Sequence, residues 1–118
     1  MSVTIYHNPR CSKSRETLQL ISDSGAEHDI RLYLVDTPDT PTILDLAAKL
    51  GCSVADIVRR GERVFKEAED LPKLDDDQAL AEWVASNPIT LERPIVVDKA
   101  SGQAIIGRPP ENVLTLVS

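Results

Sequence analysis

The chain has 118 residues, of which 42% are hydrophobic, 27% charged and only 3% aromatic. This composition predicts one soluble globular domain, residues 1–118, with an interior filled mainly by aliphatic side chains. The net charge of −6 argues against sequence-independent binding to nucleic acid or to an anionic membrane, because both need a basic surface. Any site for an anion must therefore be a local cluster of cations.

Neither a membrane segment nor a metal site is indicated. No apolar run approaches the roughly 20 residues that span a bilayer, and the N-terminus runs directly into a predicted strand without the pattern of a signal peptide. Cys11 and Cys52 are far apart and form neither a CxxC motif nor a zinc-type spacing. We therefore expect a cytoplasmic protein in which both cysteines are thiols.

The first part of the chain predicts a βαβ unit. Val3–His7 is a short β-rich run, and a helix follows from about Ser12 to Asp23. His28–Leu34 alternates and predicts a second strand with one common face formed by Ile30, Leu32 and Leu34. Two strands joined by a helix should be parallel, with a right-handed crossover.

The middle of the chain, about residues 40–87, predicts helices. A helix over 40–50 opens on Thr40 as its N-cap, and a short helix over 53–60 opens on Ser53 with Asp56. A third helix opens on a capping box of Asp75 and Gln78 and ends at 87–88. These helices interrupt the strands as an insertion.

The C-terminal part returns to strands. Pro94–Val97 predicts a buried strand, Gln103–Ile106 its hairpin partner, and Pro109-Pro110 the start of a final short helix. The element order is therefore β-α-β, a helical block, then β-β-α. That is the order of an α/β thioredoxin-like fold with a helical insertion in the middle.

Cys11 lies where the first strand passes into the first helix. The unpaired N–H groups and the positive end of a helix favour the reactive thiolate at such a junction. Arg10, Lys13 and Arg15 add positive charge where acidic side chains are usual, a break with local preference that is expected at functional sites. The alternative is a small buried thiol among solvated cations. We interpret Cys11 as a nucleophile.

Several segments carry a resemblance to a known family. Tyr6–Arg15 (YHNPRCSKSR) resembles the active-site segment of the glutaredoxin-coupled ArsC arsenate reductases and is especially similar to the YfgD-type branch. Segments 56–60 (DIVRR), 87–89 (NPI), 92–97 (ERPIVV) and 107–109 (GRP) also match the family. The resemblance covers nearly the whole chain.

The resemblance implies a mechanism. Cys11 attacks arsenate to give a covalent thiol–arsenate intermediate, glutathione acts as co-substrate, and glutaredoxin completes reduction to arsenite. It implies no metal and no tightly bound cofactor. By position, the arginines that hold the oxyanion in the family fall on Arg59, Arg93 and Arg108, and arginine offers a planar fork of donors suited to such anions.

Each arginine also has a plain structural interpretation. Arg59 and Arg60 would end a short helix, where cations suit the dipole, and only the resemblance selects Arg59 from the pair. Arg93 precedes Pro94, a bond that the resemblance predicts to be cis. Arg108 lies in a loop after a strand, where functional residues are often displayed, and is otherwise an exposed charge.

Four further residues are expected to support the site. The resemblance implies that His7 helps to activate the thiol of Cys11, although a packing role is an alternative. Arg15 is expected to add positive charge near that thiol. Asn8 and Ser14 are expected to donate hydrogen bonds to the thiolate, or else to serve as turn and first-turn residues. Ser14 stands where dithiol relatives carry a second cysteine, so reducing equivalents must come from outside. A resolving role for Cys52 is weakly supported.

Three other classes of protein share parts of this pattern. Transcriptional regulators of the Spx type, which bind RNA polymerase, typically carry Cys-x-x-Cys, whereas Ser14 occupies the fourth position here. A phosphatase-like loop needs Cys-x5-Arg, and the sixth residue after Cys11 is Thr17. An ArsC-fold thiol oxidoreductase with a different substrate remains open, because Arg10 and Lys13 replace smaller residues of the motif.

Overall fold

The computed structural model describes residues 2–117 and confirms the predicted order of strands and helices. Strand β1 (Ser2–His7) leads through helix α1 (Ser12–Ser24) to strand β2 (Glu27–Leu32), and β1 and β2 are parallel. Strands β3 (Ile95–Asp98) and β4 (Ala104–Ile106) complete a four-stranded sheet with the order β2-β1-β3-β4. This is the α/β, thioredoxin-like arrangement that the sequence predicts.

Strand register brings three distant segments to one end of the sheet. Because β1 and β3 are antiparallel, Tyr6 near the end of β1 pairs with Ile95 at the start of β3. Strand β4 is antiparallel to β3, so Ile106 at its end also pairs with Ile95. The segments after β1, before β3 and after β4 therefore meet at the same end of the sheet.

The first of two compact units consists of residues 2–36 and 93–117. It contains the sheet, α1, and a C-terminal 3-10 turn (Pro110–Val113) that continues into α5 (Leu114–Val117). Its core is built from apolar side chains of the central strands, α1 and the C-terminal turns: Val3, Ile5, Ile21, Val96, Val113 and Leu116. Burial of these aliphatic side chains is the main force holding α1 and the C-terminal turns against the sheet.

The second unit, residues 37–92, is helical. It contains helices α2 (Thr40–Leu50), α3 (Arg63–Lys66) and α4 (Asp77–Ser86), with one 3-10 turn between α2 and α3 (Val54–Ile57) and another after α4 (Pro88–Thr90). Helices α2 and α4 pack against each other, and the buried side chains of the unit include Ile43, Leu46, Ile57, Leu80 and Val84. The short helix α3 was not predicted.

Two predicted helix caps are wrong by one residue. The carboxylate of Asp39, not Thr40, caps α2, and that of Asp76, not Asp75, caps α4. In each case the carboxylate accepts a backbone N–H three residues further on. Neighbouring polar residues have similar capping preferences, so sequence alone does not separate them.

The short helix predicted to run to Arg60 ends earlier, at Ile57. Val58 forms an isolated antiparallel bridge with Leu91, which requires extended backbone. Arg59 therefore follows an extended residue and does not lie at a helix end. A tertiary pairing has overridden the local helical pattern at this point.

Strand β2 is shorter and more exposed on one face than its alternation suggests. It ends at Leu32, so Leu34 lies beyond the strand. Ile30 and Leu32 do share a face, but they remain 48% and 40% exposed. Strand β2 is at the edge of the sheet, where one face is less completely covered.

Candidate active site

Cys11 is the N-cap residue of α1. Its backbone is extended (φ −96°, ψ 121°), its side chain is half-buried, and that side chain makes no capping hydrogen bond. The loop before it is closed by a hydrogen bond from the Cys11 N–H to the Asn8 carbonyl at 3.0 Å. The Asn8 side-chain oxygen accepts the Arg10 N–H, also at 3.0 Å. The Asn8 side chain thus stabilises the turn before Cys11, which was the alternative to a hydrogen bond with the sulfur.

The Cys11 sulfur is surrounded by donors and positive charge. Burial alone raises the pKa of the Cys11 thiol. The N–H of Ser14, a hydrogen bond from the Arg93 side chain, the charge of Arg108 and the N–H of Lys13 outweigh it and lower the pKa below its ordinary value. The Nη2 atom of Arg108 lies 3.4 Å from the sulfur. The arrangement favours a thiolate.

The two arginines that act on the sulfur flank the C-terminal hairpin, one before β3 and one after β4, at the same end of the sheet. Arg93 is buried immediately before β3, and its bond to Pro94 is cis, as predicted. Arg108 follows β4, and its bond to Pro109 is also cis, which was not predicted. The Arg108 Nε donates to the Arg93 carbonyl at 2.9 Å. The position of one guanidinium is therefore tied to the backbone of the other residue.

Gly107 lets the loop that carries Arg108 approach helix α1. Its N–H donates to the Pro94 carbonyl at 2.9 Å. A Cβ atom at this position would lie 2.4 Å from the Thr17 Oγ1 and 2.7 Å from the Pro94 Cγ, closer than such atoms can come. Sequence reasoning gave Gly107 no role, because its meaning depends on contacts with residues far along the chain.

Two of the three cations close to Cys11 in sequence bind other groups. The Lys13 ammonium pairs with Glu16 at 3.6 Å, and the Arg15 Nη1 donates to the Pro9 carbonyl at 2.9 Å. Among the described residues, the side chains that lower the pKa of Cys11 are Arg93 and Arg108. The helix N–H groups therefore act on the sulfur as the sequence predicts, whereas the cations that act on it are Arg93 and Arg108, which are distant in sequence.

His7 and Ser14 form a buried polar pair beside the loop. The His7 Nδ1 lies 2.7 Å from the Ser14 Oγ, which also accepts the Asn8 N–H at 3.0 Å. Burial, aided by the positive charge of Arg15, lowers the pKa of His7, so the imidazole is neutral near neutral pH. Ser14 acts on the sulfur of Cys11 through its backbone N–H, not through its hydroxyl.

Arg59 belongs to the second unit and is held by two carboxylates. Its Nε lies 3.2 Å from Glu62 and its Nη1 3.0 Å from Glu92. Burial opposes the charge, but hydrogen bonds with Glu92 and Glu62 raise the pKa of Arg59 overall. Arg60 is exposed. Of the two arginines, Arg59 is the one whose side chain is held in place by ion pairs.

Cys52 lies in the second unit, in an environment opposite to that of Cys11. Burial, with the negative charges of Asp56 and Asp77, raises the pKa of the Cys52 thiol. A thiol with a raised pKa has little thiolate at neutral pH and is a poor nucleophile. The contrast in pKa singles out Cys11.

Over residues 2–117, no group of three or more His, Cys, Asp or Glu side chains is placed to hold a metal ion. Over the same range, no helix combines the length and apolar character needed to cross a bilayer.

Comparison with known proteins gives consistent matches. The sequence matches the model of the ArsC family over residues 6–116. The uncharacterised protein YfgD of Escherichia coli (strain K12) is 47% identical, over 98% of this chain and 96% of its own. An arsenate reductase of Haemophilus influenzae is 41% identical, over 99% of this chain and 100% of its own. The solved structure of an arsenate reductase from Vibrio cholerae matches with a TM-score of 0.86 at 42% identity, over 98% of each chain.

Proposed function

The chain belongs to the ArsC family, and from that premise we propose that it is an arsenate reductase with Cys11 as its nucleophile. The observation that carries the proposal is the Cys11 sulfur, 3.4 Å from the Arg108 Nη2 and with its pKa held below the ordinary value. A thiolate beside guanidinium groups combines a nucleophile with a ready site for a tetrahedral oxyanion.

In the first step the Cys11 thiolate attacks the arsenic atom of arsenate. An As–S bond forms, an As–O bond breaks, and the departing oxygen leaves as water after protonation. Arg93 and Arg108, which stabilise the thiolate, then face the oxygens of the adduct. The same two cations thus stabilise the negative charge of the thiolate before the attack and that of the arsenate oxygens after it, without reorganisation of the site.

The electrons come from external thiols. Glutathione forms a second As–S bond and displaces another water. A glutaredoxin thiolate then attacks the glutathione sulfur, giving a mixed disulfide and leaving the electron pair on arsenic, which passes from As(V) to As(III). Hydrolysis of the remaining bond to Cys11 frees arsenite and the enzyme thiol. This chemistry uses no tightly bound cofactor and suits the reducing cytoplasm.

The motif match supports Arg59 as a third oxyanion ligand. Its guanidinium keeps its charge at any working pH, and Glu62 and Glu92 fix its orientation through two of its nitrogens. Two carboxylates also compete with any anion for that guanidinium. Substitution of Arg59 can therefore affect both oxyanion binding and the stability of the second unit.

A coupled assay tests the function directly. We expect the purified protein, given arsenate, glutathione, glutaredoxin and an NADPH-driven recycling system, to consume NADPH. Cys11→Ser should abolish consumption, whereas Cys52→Ser is the matched control and should retain it. Activity in Cys11→Ser would contradict the mechanism. A wild-type protein that is inactive with arsenate but has a low Cys11 pKa would favour a thiol oxidoreductase with another substrate.

A further inference from the structure

The side-chain amide of Asn112 binds the loop that carries Arg108. Its Nδ2 atom donates to the Ile106 carbonyl at 3.2 Å and to the Arg108 carbonyl at 3.1 Å. These two carbonyls lie on either side of Gly107, the residue that approaches α1 closely. One amide group therefore holds both ends of the three-residue segment that brings the Arg108 guanidinium to the sulfur.

The residues that follow Arg108 explain why a side chain serves as the donor here. Pro109 and Pro110 have no backbone N–H, so two consecutive residues cannot donate to the carbonyls of the loop. The backbone N–H of Asn112 donates to the Pro109 carbonyl at 3.1 Å, which places Asn112 one turn beyond the loop. From that position its side chain reaches back across both prolines and supplies the donors that they lack.

The side chain of Arg108 is held at its other end by the residue before β3. Its Nε donates to the Arg93 carbonyl at 2.9 Å, and its Nη2 lies 3.4 Å from the Cys11 sulfur. Both contacts start from the backbone of Arg108, so a shift of that backbone moves the guanidinium relative to the sulfur. Displacements of about 1 Å at a reacting group are enough to lower rates substantially.

We propose that Asn112 is a positioning residue for Arg108, whose amide holds the loop after β4 so that the guanidinium faces the Cys11 sulfur. The inference rests on the proposed function for its effect on arsenate reduction, whereas its effect on Cys11 needs only the geometry of the site. The amide suits this role because its NH₂ group has two donors, one for each carbonyl. Asn112 is exposed and is not part of the core cluster of the first unit, so its substitution should leave the fold intact.

The pH profile of Cys11 alkylation tests this role without arsenate. In a Cys52→Ser background, the Cys11 thiolate attacks iodoacetamide, a neutral reagent, forming an S–C bond and releasing iodide, and the midpoint of the rate against pH reports the pKa of Cys11. Asn112→Leu keeps the size and branching of the side chain but removes both donors. We expect the midpoint to move to higher pH, by less than in Arg108→Gln, because the guanidinium is displaced and not deleted.

A combined variant shows whether the effect passes through Arg108. If it does, Asn112→Leu should cause no further shift of the midpoint in an Arg108→Gln background. Thr115→Val is the matched control, because the Thr115 hydroxyl donates to the Asn112 carbonyl at 2.9 Å. It removes one hydrogen bond from the same turn, keeps both amide bonds to the loop, and should leave the midpoint unchanged.

An unchanged midpoint for Asn112→Leu, or an equal shift with and without the Arg108 guanidinium, would overturn the proposal. An equal shift in Thr115→Val would do the same, since the whole C-terminal turn would then be responsible. In the coupled assay Asn112→Leu should lower the rate by about 2- to 10-fold, the value of one net hydrogen bond. A protein inactive with arsenate still gives the alkylation profile, so failure of the proposed function and failure of this role are separate results.

Discussion

A Cβ atom on Gly107 would lie 2.4 Å from the hydroxyl oxygen of Thr17, a residue 90 positions earlier in the chain. Thr17 is fully buried on α1, and its hydroxyl donates to the Lys13 carbonyl at 2.8 Å. The contact fixes how closely the loop after β4 approaches the helix that carries Cys11. The distance from Arg108 to the sulfur thus depends on the absence of a side chain at Gly107.

We expect Gly107→Ala to push this loop away from α1. Overpacking of a filled site should cost about 1–3 kcal/mol in the free energy of unfolding. Displacement of Arg108 should also raise the pKa of Cys11 and lower the rate of reduction by roughly 10- to 100-fold, the value of a charge-assisted contact. Thermal unfolding and the coupled assay measure the two effects.

Two variants sharpen that prediction. Gly61→Ala is the control, because no atom lies within 4 Å of the added carbon. Combining Gly107→Ala with Thr17→Ala should recover part of the lost activity, since the nearest clashing atom is removed. Purely additive losses in the double variant would show that the clash does not act through Thr17.

Removal of the Arg108 charge should raise the pKa of the Cys11 thiol. The cation lowers that pKa by stabilising the thiolate, so Arg108→Gln moves it toward the ordinary value. The ultraviolet absorbance of the thiolate, recorded against pH in a Cys52→Ser background, measures the shift. Arg63→Gln removes an exposed arginine of the second unit and should leave the curve unchanged. If the titration curve for Arg108→Gln matched that of the wild type, the charge of Arg108 would not be what lowers the pKa of Cys11.

Because the pKa of Cys11 is lowered in the folded state, its ionisation stabilises the fold. The contribution is fully present above the ordinary pKa of cysteine and is lost as the pH falls through the lowered folded value. The free energy of unfolding of the wild type, relative to Cys11→Ser, should therefore increase with pH across that window. Denaturant titrations at several pH values give this difference. A difference that decreases with pH would mean that burial dominates.

The contacts between chain neighbours at the site could be predicted from the sequence, and the contacts between distant residues could not. The strand–loop–helix segment around Cys11 and the capping pair of Ser53 and Asp56 depend on neighbours in the chain, and both were predicted. Arg93 and Arg108 were assigned only by resemblance, because their contact with Cys11 depends on strand register. The local cations were given the wrong role, since charge near in sequence is not always charge near in space.

His7 should titrate below the ordinary range of histidine. Burial and the positive charge of Arg15 lower its pKa, so neutral His7 stabilises the fold above the ordinary pKa, and this stabilisation is lost as the pH falls through the lowered value. Arg15→Gln should raise the pKa of His7 by removing the repulsion, which NMR titration of the imidazole measures. A fall in that pKa would show that Arg15 acts through the loop carbonyl that it binds, not through charge.

The role of Arg59 is tested by comparing it with its partners. Arg59→Gln leaves Glu62 and Glu92 without their shared cation and should lower the free energy of unfolding by about 1–2 kcal/mol. If Arg59 also binds the oxyanion, the variant should raise the KM for arsenate in the coupled assay. Glu92→Gln, which disturbs the same ion pair but keeps the guanidinium, should cost stability without that rise.

Arg60→Gln completes the comparison, because Arg60 is exposed and adjacent in sequence. It should change neither the KM for arsenate nor the free energy of unfolding. A rise in KM for Arg60→Gln and not for Arg59→Gln would reassign the third oxyanion ligand by one residue. Equal rises for Glu92→Gln and Arg59→Gln would instead mean that the ion pair supports the second unit and that the guanidinium does not bind arsenate.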